Sequence, residues 1–160
     1  HRSGYGAARA ALFAGARVWL VPAAGSSSAG EAADAPVNRL LAFWRAVGAD
    51  PRVVGAEEHD SLAAWASHLP QVAASALGMV LGGSGTSADM LGPGGRDTTR
   101  LAASPPELWA DILLHNADLL GRPLAALQEA LAELREVMAR GDREGLLRLL
   151  AAAQDWREGT

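Results

Sequence analysis

Two short strings hold the residue types with which this chain could do chemistry. Ser67-His68-Leu69-Pro70 sets an imidazole inside an apolar helical pattern, and Arg96-Asp97-Thr98-Thr99-Arg100 sets two guanidiniums and a carboxylate after a glycine-rich stretch. A guanidinium grips a carboxylate through two parallel hydrogen bonds, and an imidazole adds a further donor, so together they suit a small dianionic acid. Each string also has a bland reading. A lone helical His is more often a core residue held by a backbone carbonyl. Asp97 and Arg100, three apart, also read as a helix N-cap with a surface ion pair, worth at most about 1 kcal/mol.

Other polar groups point less clearly. Trp109 sits one turn into a helix, where a Trp is usually core. Asp111 and His115 are an i,i+4 pair of the kind that makes a solvated helix-face contact, and His59-Asp60 reads as helix-start charge. No Ser/His/Asp triad or pair of carboxylates emerges. The four histidines, at 1, 59, 68 and 115, lack zinc-ligand spacing, and there is no cysteine. His59 and His68 lie nine apart, about 180° around a single helix, so no metal site is expected.

These groups need a scaffold, and composition describes one. At 160 residues, 49% hydrophobic and 20% charged, the chain suits one domain with a real core. It has no 18-residue uncharged apolar run, so no membrane span is expected. The net charge of −4 with scattered arginines argues against a nucleic-acid surface. The first residues lack the basic and apolar regions of a signal peptide, and a cytoplasmic location is expected. His1-Arg2-Ser3-Gly4 runs straight into an Ala-rich stretch without an initiator Met; the expectation is the interior of a longer polypeptide.

Along the chain, residues 6–14 have helix-forming composition ending at Gly15. Arg17 to Val21 reads as a strand closed by Pro22, and Arg52-Val53-Val54 as a second. Between them Leu40, Leu41, Phe43, Trp44 and Val47 give a helical face stopped by Gly48. From Glu57 a helical run reaches Gly82-Gly83, and Pro70 inside it removes the bond to the Ala66 carbonyl and should kink the helix beside His68. Gly82 to Gly95 reads as a loop with no phosphate-cradle pattern. Ser104-Pro105-Pro106-Glu107 reads as a capping box with proline at the first helical position. Leu124, Leu127, Leu131, Leu134 and Met138 form the stripe of the next helix, broken at Gly141-Asp142 before a last helix through Trp156. The expected fold is therefore mainly α: a helical bundle (residues 56–160) preceded by one or two short strands left from an upstream α/β domain (residues 1–55). The surplus Leu on the late helices is most economically buried against a second copy, a homodimer.

Taken in order, these strings resemble the C-terminal part of the prephenate/arogenate dehydrogenases. The matching residues are Arg2-Ser3-Gly4, Leu12-Phe13-x-Gly15 leading to a strand and Pro22, and Trp44-x3-Gly48-Ala49. They continue with Glu58-His59-Asp60-x6-Ser67-His68-Leu69-Pro70 and Arg96-Asp97-x-Thr99-Arg100-x-Ala102-x-Ser104-x-Pro106-x2-Trp109-x-Asp111-Ile112, then Asn116. The resemblance covers residues 1 to about 120. It implies an enzyme in which a dinucleotide-binding domain holds NAD or NADP and a helical domain makes an intertwined homodimer. In that family prephenate loses a hydride and its ring carboxylate to give 4-hydroxyphenylpyruvate, on the route to tyrosine. By motif, Arg100 would anchor a substrate carboxylate, His68 would contact the polar substrate side chain, and Trp109 would pack on the site, from the same or the partner subunit. Asp97 would belong to a charged gate near Arg100.

Departures from the family pattern matter too. The glycine-rich nucleotide fingerprint is absent, as is the catalytic His of a His-Pro-x-Ala-Gly string, so no catalytic residue is assigned in this chain and none of its residues is assigned to the cofactor. His1 stands where some relatives carry a gating Glu. Gly95 replaces a bulky apolar residue before Arg-Asp, which should loosen that loop. The chain by itself is expected to be inactive, without bound NAD or NADP. Three alternatives stay open: a stand-alone helical module that binds an aromatic acid as sensor or regulator, an arogenate rather than a prephenate dehydrogenase, and a purely structural dimerisation domain.

Overall fold

The computed structural model describes residues 8, 9, 11–23 and 35–159. The chain divides into two compact units, residues 1–63 and 64–160.

In the first unit, strand β1 (Arg17–Leu20) pairs in parallel with β2 (Asp50–Val53), with helix α1 (Ala35–Ala46) between them in sequence and α2 (Ala56–Ala63) after them. Both expected strands form, with β2 starting two residues earlier than expected. Pro51 is tolerated inside it because the amides of Asp50 and Val54 are the ones that donate to β1, at Ala16 and Leu20. Alternate residues turn the other way, so the missing N–H of Pro51 costs no ladder bond. The helix expected over 6–14 does not form in its described part. Residues 11–15 are a turn, with Leu12, Ala14 and Ala16 donating to the carbonyls three residues back. The chain is then drawn to the end of α1, where the Gly15 amide donates to the Gly48 carbonyl at 2.8 Å. Gly48, at φ 87°, lies so close to Ala14 that a Cβ would stand 3.4 Å from its Cα. The close approach and the positive φ both call for glycine here. Residues 6, 7 and 10 of the expected helix lie outside the described residues.

The second unit opens with a π-helical turn (Ala64–His68) that continues as α3 (Leu69–Gly83). A 3-10 turn (Ala88–Met90), helix α4 (Pro93–Thr99) and a second 3-10 turn (Arg100–Ala103) lead to α5 (Pro106–His115), α6 (Ala117–Ala139) and α7 (Arg143–Glu158). The stretch 82–95 is thus less of a loop than its glycines suggested. Gly82 and Gly83 still belong to α3, and Pro93 opens α4 because its fixed φ suits a first helical turn. Gly78 lets α3 approach the second 3-10 turn, where a Cβ would meet that of Ala102 at 3.3 Å. The stripe on α6 is only half covered: Leu124, Leu127 and Leu134 are partly buried, whereas Leu131 and Met138 remain exposed. The buried side of α6 is Leu120, Pro123 and Val137.

The break between α6 and α7 is built as the sequence suggested. Gly141 takes φ 64°, and the Asp142 carboxylate accepts the Gly145 amide at 2.8 Å as N-cap of α7. Replacing Asp142 with Ala leaves that amide without its acceptor. The expected outcome is a loss of about 1 kcal/mol, read as a lowered unfolding midpoint; an unchanged midpoint would show that the cap contributes nothing.

Candidate functional site

Proline builds the site's first wall. With no N–H at Pro70, the Ala66 carbonyl has no i+4 donor, and the turn before it opens into the π geometry of Ala64–His68. His68 ends that turn, only 8% exposed. The kink foreseen from Pro70 is therefore realised as a widened turn. Buried Nδ1 of His68 has no hydrogen-bond partner among the described residues. Leaving such a group unpaired costs about 1–3 kcal/mol.

Trp109, on α5 and half-buried, forms the facing wall. Its ring meets that of His68 of the same chain at 6.1 Å between centroids and 81° between planes. Helix α5 starts at Pro106 as expected, but the capping box does not form. Ser104 Oγ donates instead to the side-chain oxygen of Gln71, at 3.3 Å.

Gln71 is a residue that sequence reasoning missed. It is 3% exposed and lies one turn beyond His68 on the same helical face. Its Nε2 donates to the Leu101 carbonyl at 2.9 Å and to Ser75 Oγ at 3.3 Å. The available signal was a single amide side chain within the otherwise apolar Leu69 to Ala74.

Leu101 follows Arg100, so the carboxamide fastens the segment that carries the guanidinium. Arg100 itself is exposed, and its guanidinium makes no ion pair or hydrogen bond among the described residues. Arg96 differs: its Nε donates to the Leu91 carbonyl at 2.8 Å and an Nη to that of Asp89 at 3.3 Å. One arginine of the string closes the backbone, and the other has no side-chain partner among the described residues. Asp97 lies in the middle of α4, exposed, neither capping a helix nor paired with Arg100. The expected N-cap and ion pair are therefore absent, because α4 is capped by Gly92. Gly95 does not leave a void. The Leu91 side chain covers it, 3.3 Å from where a Cβ would stand. His1 lies outside the described residues.

The remaining candidates fall away from this cluster. His59 Nδ1 meets Asp60 Oδ1 at 2.9 Å, with its ring against Trp19. His115 does not reach the Asp111 carboxylate; its Nδ1 donates to the Asp111 carbonyl at 2.8 Å. The Ser87 hydroxyl holds the exposed Asp89 carboxyl below the ordinary carboxylate range. No group of three His, Cys, Asp or Glu among the described residues could hold a metal. A groove of about 440 Å³ runs along Gly78, Leu81, Leu91, Thr99 and Ala102, and His68, Arg100 and Trp109 do not border it.

Residues 55–152 match the family described as the dimerization domain of prephenate dehydrogenase. The chain belongs to that family. Prephenate dehydrogenase of Bacillus subtilis is 31% identical over 163 aligned positions, 99% of this chain and 42% of that protein. Cyclohexadienyl dehydrogenase of Zymomonas mobilis is 39% identical over 120 positions, 72% of this chain and 41% of that protein. Among solved structures, the prephenate dehydrogenase of Aquifex aeolicus in complex with hydroxyphenyl propionate and NAD+ superposes with a TM-score of 0.73 at 27% identity. That match covers 99% of this chain and 55% of the other. A prephenate dehydrogenase homologue from Corynebacterium glutamicum gives 0.75 at 25% identity, over 98% of this chain and 51% of the other. The chain thus spans about two fifths of its curated prephenate and cyclohexadienyl dehydrogenase relatives. Its family is one of oxidoreductases, and its mainly helical fold is theirs.

Proposed function

We propose that this chain is the substrate-binding and dimerisation part of a prephenate dehydrogenase. Residues 56–160 are its helical domain, and residues 1–55 are the end of a dinucleotide-binding domain. The observation that carries the reading is His68: a buried imidazole with an unpartnered nitrogen, set against Trp109 and one helical turn from the residue that fastens the Arg100 segment. Arg100 anchors a carboxylate of prephenate, His68 donates to its polar side chain, and Trp109 covers the ring. Asp97 belongs to a charged gate at the entrance.

NAD or NADP serves the complete enzyme as hydride acceptor. The described residues do not fit a dinucleotide. The helix that follows β2 carries Glu57 and Glu58 in its first turn, where a pyrophosphate would require uncharged or positive groups. No step is therefore assigned here to the cofactor, and the chain alone is inactive. The active form is a homodimer working in the cytoplasm. No helix among the described residues is long and apolar enough to cross a membrane.

The deciding experiment is calorimetric titration of the chain with hydroxyphenyl propionate and with prephenate. Saturable binding is expected, and absence of heat with both would leave a purely structural dimerisation domain. One variant sharpens the test. His68→Leu removes the unpartnered nitrogen together with the substrate donor. It should therefore raise stability by about 1 kcal/mol while weakening ligand binding about tenfold or more. A destabilised His68→Leu that still binds would instead assign the imidazole a structural role.

A further inference from the structure

Gln71 touches neither of the outer groups assigned to the ligand, yet it is more buried than His68. Its carboxamide reaches three chain segments: α3 at Ser75, the 3-10 turn at Leu101 and the entry to α5 at Ser104. Those last two segments carry Arg100 on one side and lead to Trp109 on the other. The Leu101 carbonyl also accepts the Ser104 amide at 3.0 Å, so one acceptor closes the 3-10 turn and ties it to α3.

The Arg100 amide donates to the Asp97 carbonyl, but no hydrogen bond among the described residues holds its side chain. Among the described residues the guanidinium has no ion pair to fix its direction, and its 3-10 turn has poorer hydrogen-bond geometry than an α-helix. The backbone beneath it is therefore what limits where it can reach. We propose that Gln71 is a positioning residue for substrate binding: through the Leu101 carbonyl it sets the Arg100 backbone relative to His68. This rests on the substrate-site reading above. Its effect passes through Arg100, so it governs affinity for the acid and not the stability of the helices alone.

Gln71→Met is the informative variant, since it keeps chain length and removes both hydrogen-bonding atoms. Affinity of the chain for hydroxyphenyl propionate is measured in the parent, Gln71→Met, Arg100→Ala and the double variant, with thermal melts alongside. We expect Gln71→Met to weaken binding about tenfold in the parent and less than about twofold in the Arg100→Ala background, because two residues that act as one unit are not additive. Gln71→Glu keeps the acceptor for Ser104 but loses the donor to Leu101, and should fall with Gln71→Met. If Arg100→Ala binds as the parent does, the substrate-site reading itself fails. If Arg100→Ala weakens binding but Gln71→Met does not, or the two losses simply add, Gln71 is a structural residue only. Should Gln71→Met fail to fold, Ser104→Ala cuts the tie to α5 while sparing the Leu101 bond. It should leave binding within about twofold; a tenfold loss there would overturn the assignment to the Arg100 segment.

Discussion

Arg100→Ala should raise the KM for prephenate in the complete enzyme about 10- to 100-fold, and weaken hydroxyphenyl propionate binding to the chain by a similar factor. The figure follows from the type of bond. Hydrogen bonds to a charged group contribute about 1.5–3 kcal/mol, and a planar guanidinium offers two in parallel to one carboxylate. Arg100 is exposed and unpaired among the described residues, so folding uses none of that potential. The unfolding midpoint should accordingly stay put, with a stability change within about 0.5 kcal/mol. Arg100→Lys keeps the charge and loses the fork, and should fall between the parent and the alanine variant. A KM that does not move would remove Arg100 from the substrate site. A collapse of stability would mean that the guanidinium holds the fold together.

The second large effect concerns the face that a single chain leaves open. The buried hydrophobic side chains are few and mostly small: Val54, Ala63, Ala64, Ala74, Leu120 and Val137. Leu131, Met138, Leu147 and Leu150 on α6 and α7 are 48–59% exposed. Leu131 and Met138 are two helical turns apart on one stripe. In a two-fold dimer every such residue is buried twice, once from each copy. At about 1.5–3 kcal/mol per buried side chain, the four copies of these two residues amount to roughly 6–12 kcal/mol of association. Leu131→Glu with Met138→Glu should weaken dimerisation at least about a thousandfold, measured by sedimentation equilibrium. The parent's unfolding midpoint should rise with protein concentration, because dimer formation stabilises only the folded chain. A monomeric parent, or a double variant that dimerises unchanged, would take this stripe of α6 out of the interface.

Much of this protein could be read locally. The strand at Arg17, the α1 face ending at Gly48, the stop at Gly141-Asp142 and the start of α5 at Pro106 all depend on side-chain period or on φ preferences of single residues. Such preferences act within a turn or two of chain, so they survive in any tertiary setting. His68, Arg100 and Trp109 stood out for a related reason: each is a costly residue type in a run of Ala and Leu.

What the residues alone did not settle were the choices made by distant partners. Ser104 had the right spacing to cap α5, but the buried Gln71 carboxamide, 33 positions away, took its hydroxyl. Arg96 and Arg100 were equivalent as letters. Only folding gave Arg96 the carbonyls of Asp89 and Leu91 and left the Arg100 side chain without a partner among the described residues. Residues 11–14 had helical composition, yet the Gly48 carbonyl bound the Gly15 amide and closed a turn instead. For Ser104 and for Gly15 a local and a distant hydrogen bond competed, and the sequence near the residue contains only the local one. A difference of about 1 kcal/mol decides between them, and it is set by which backbone the packing of α1 or α3 brings within 3 Å or so of the contested atom.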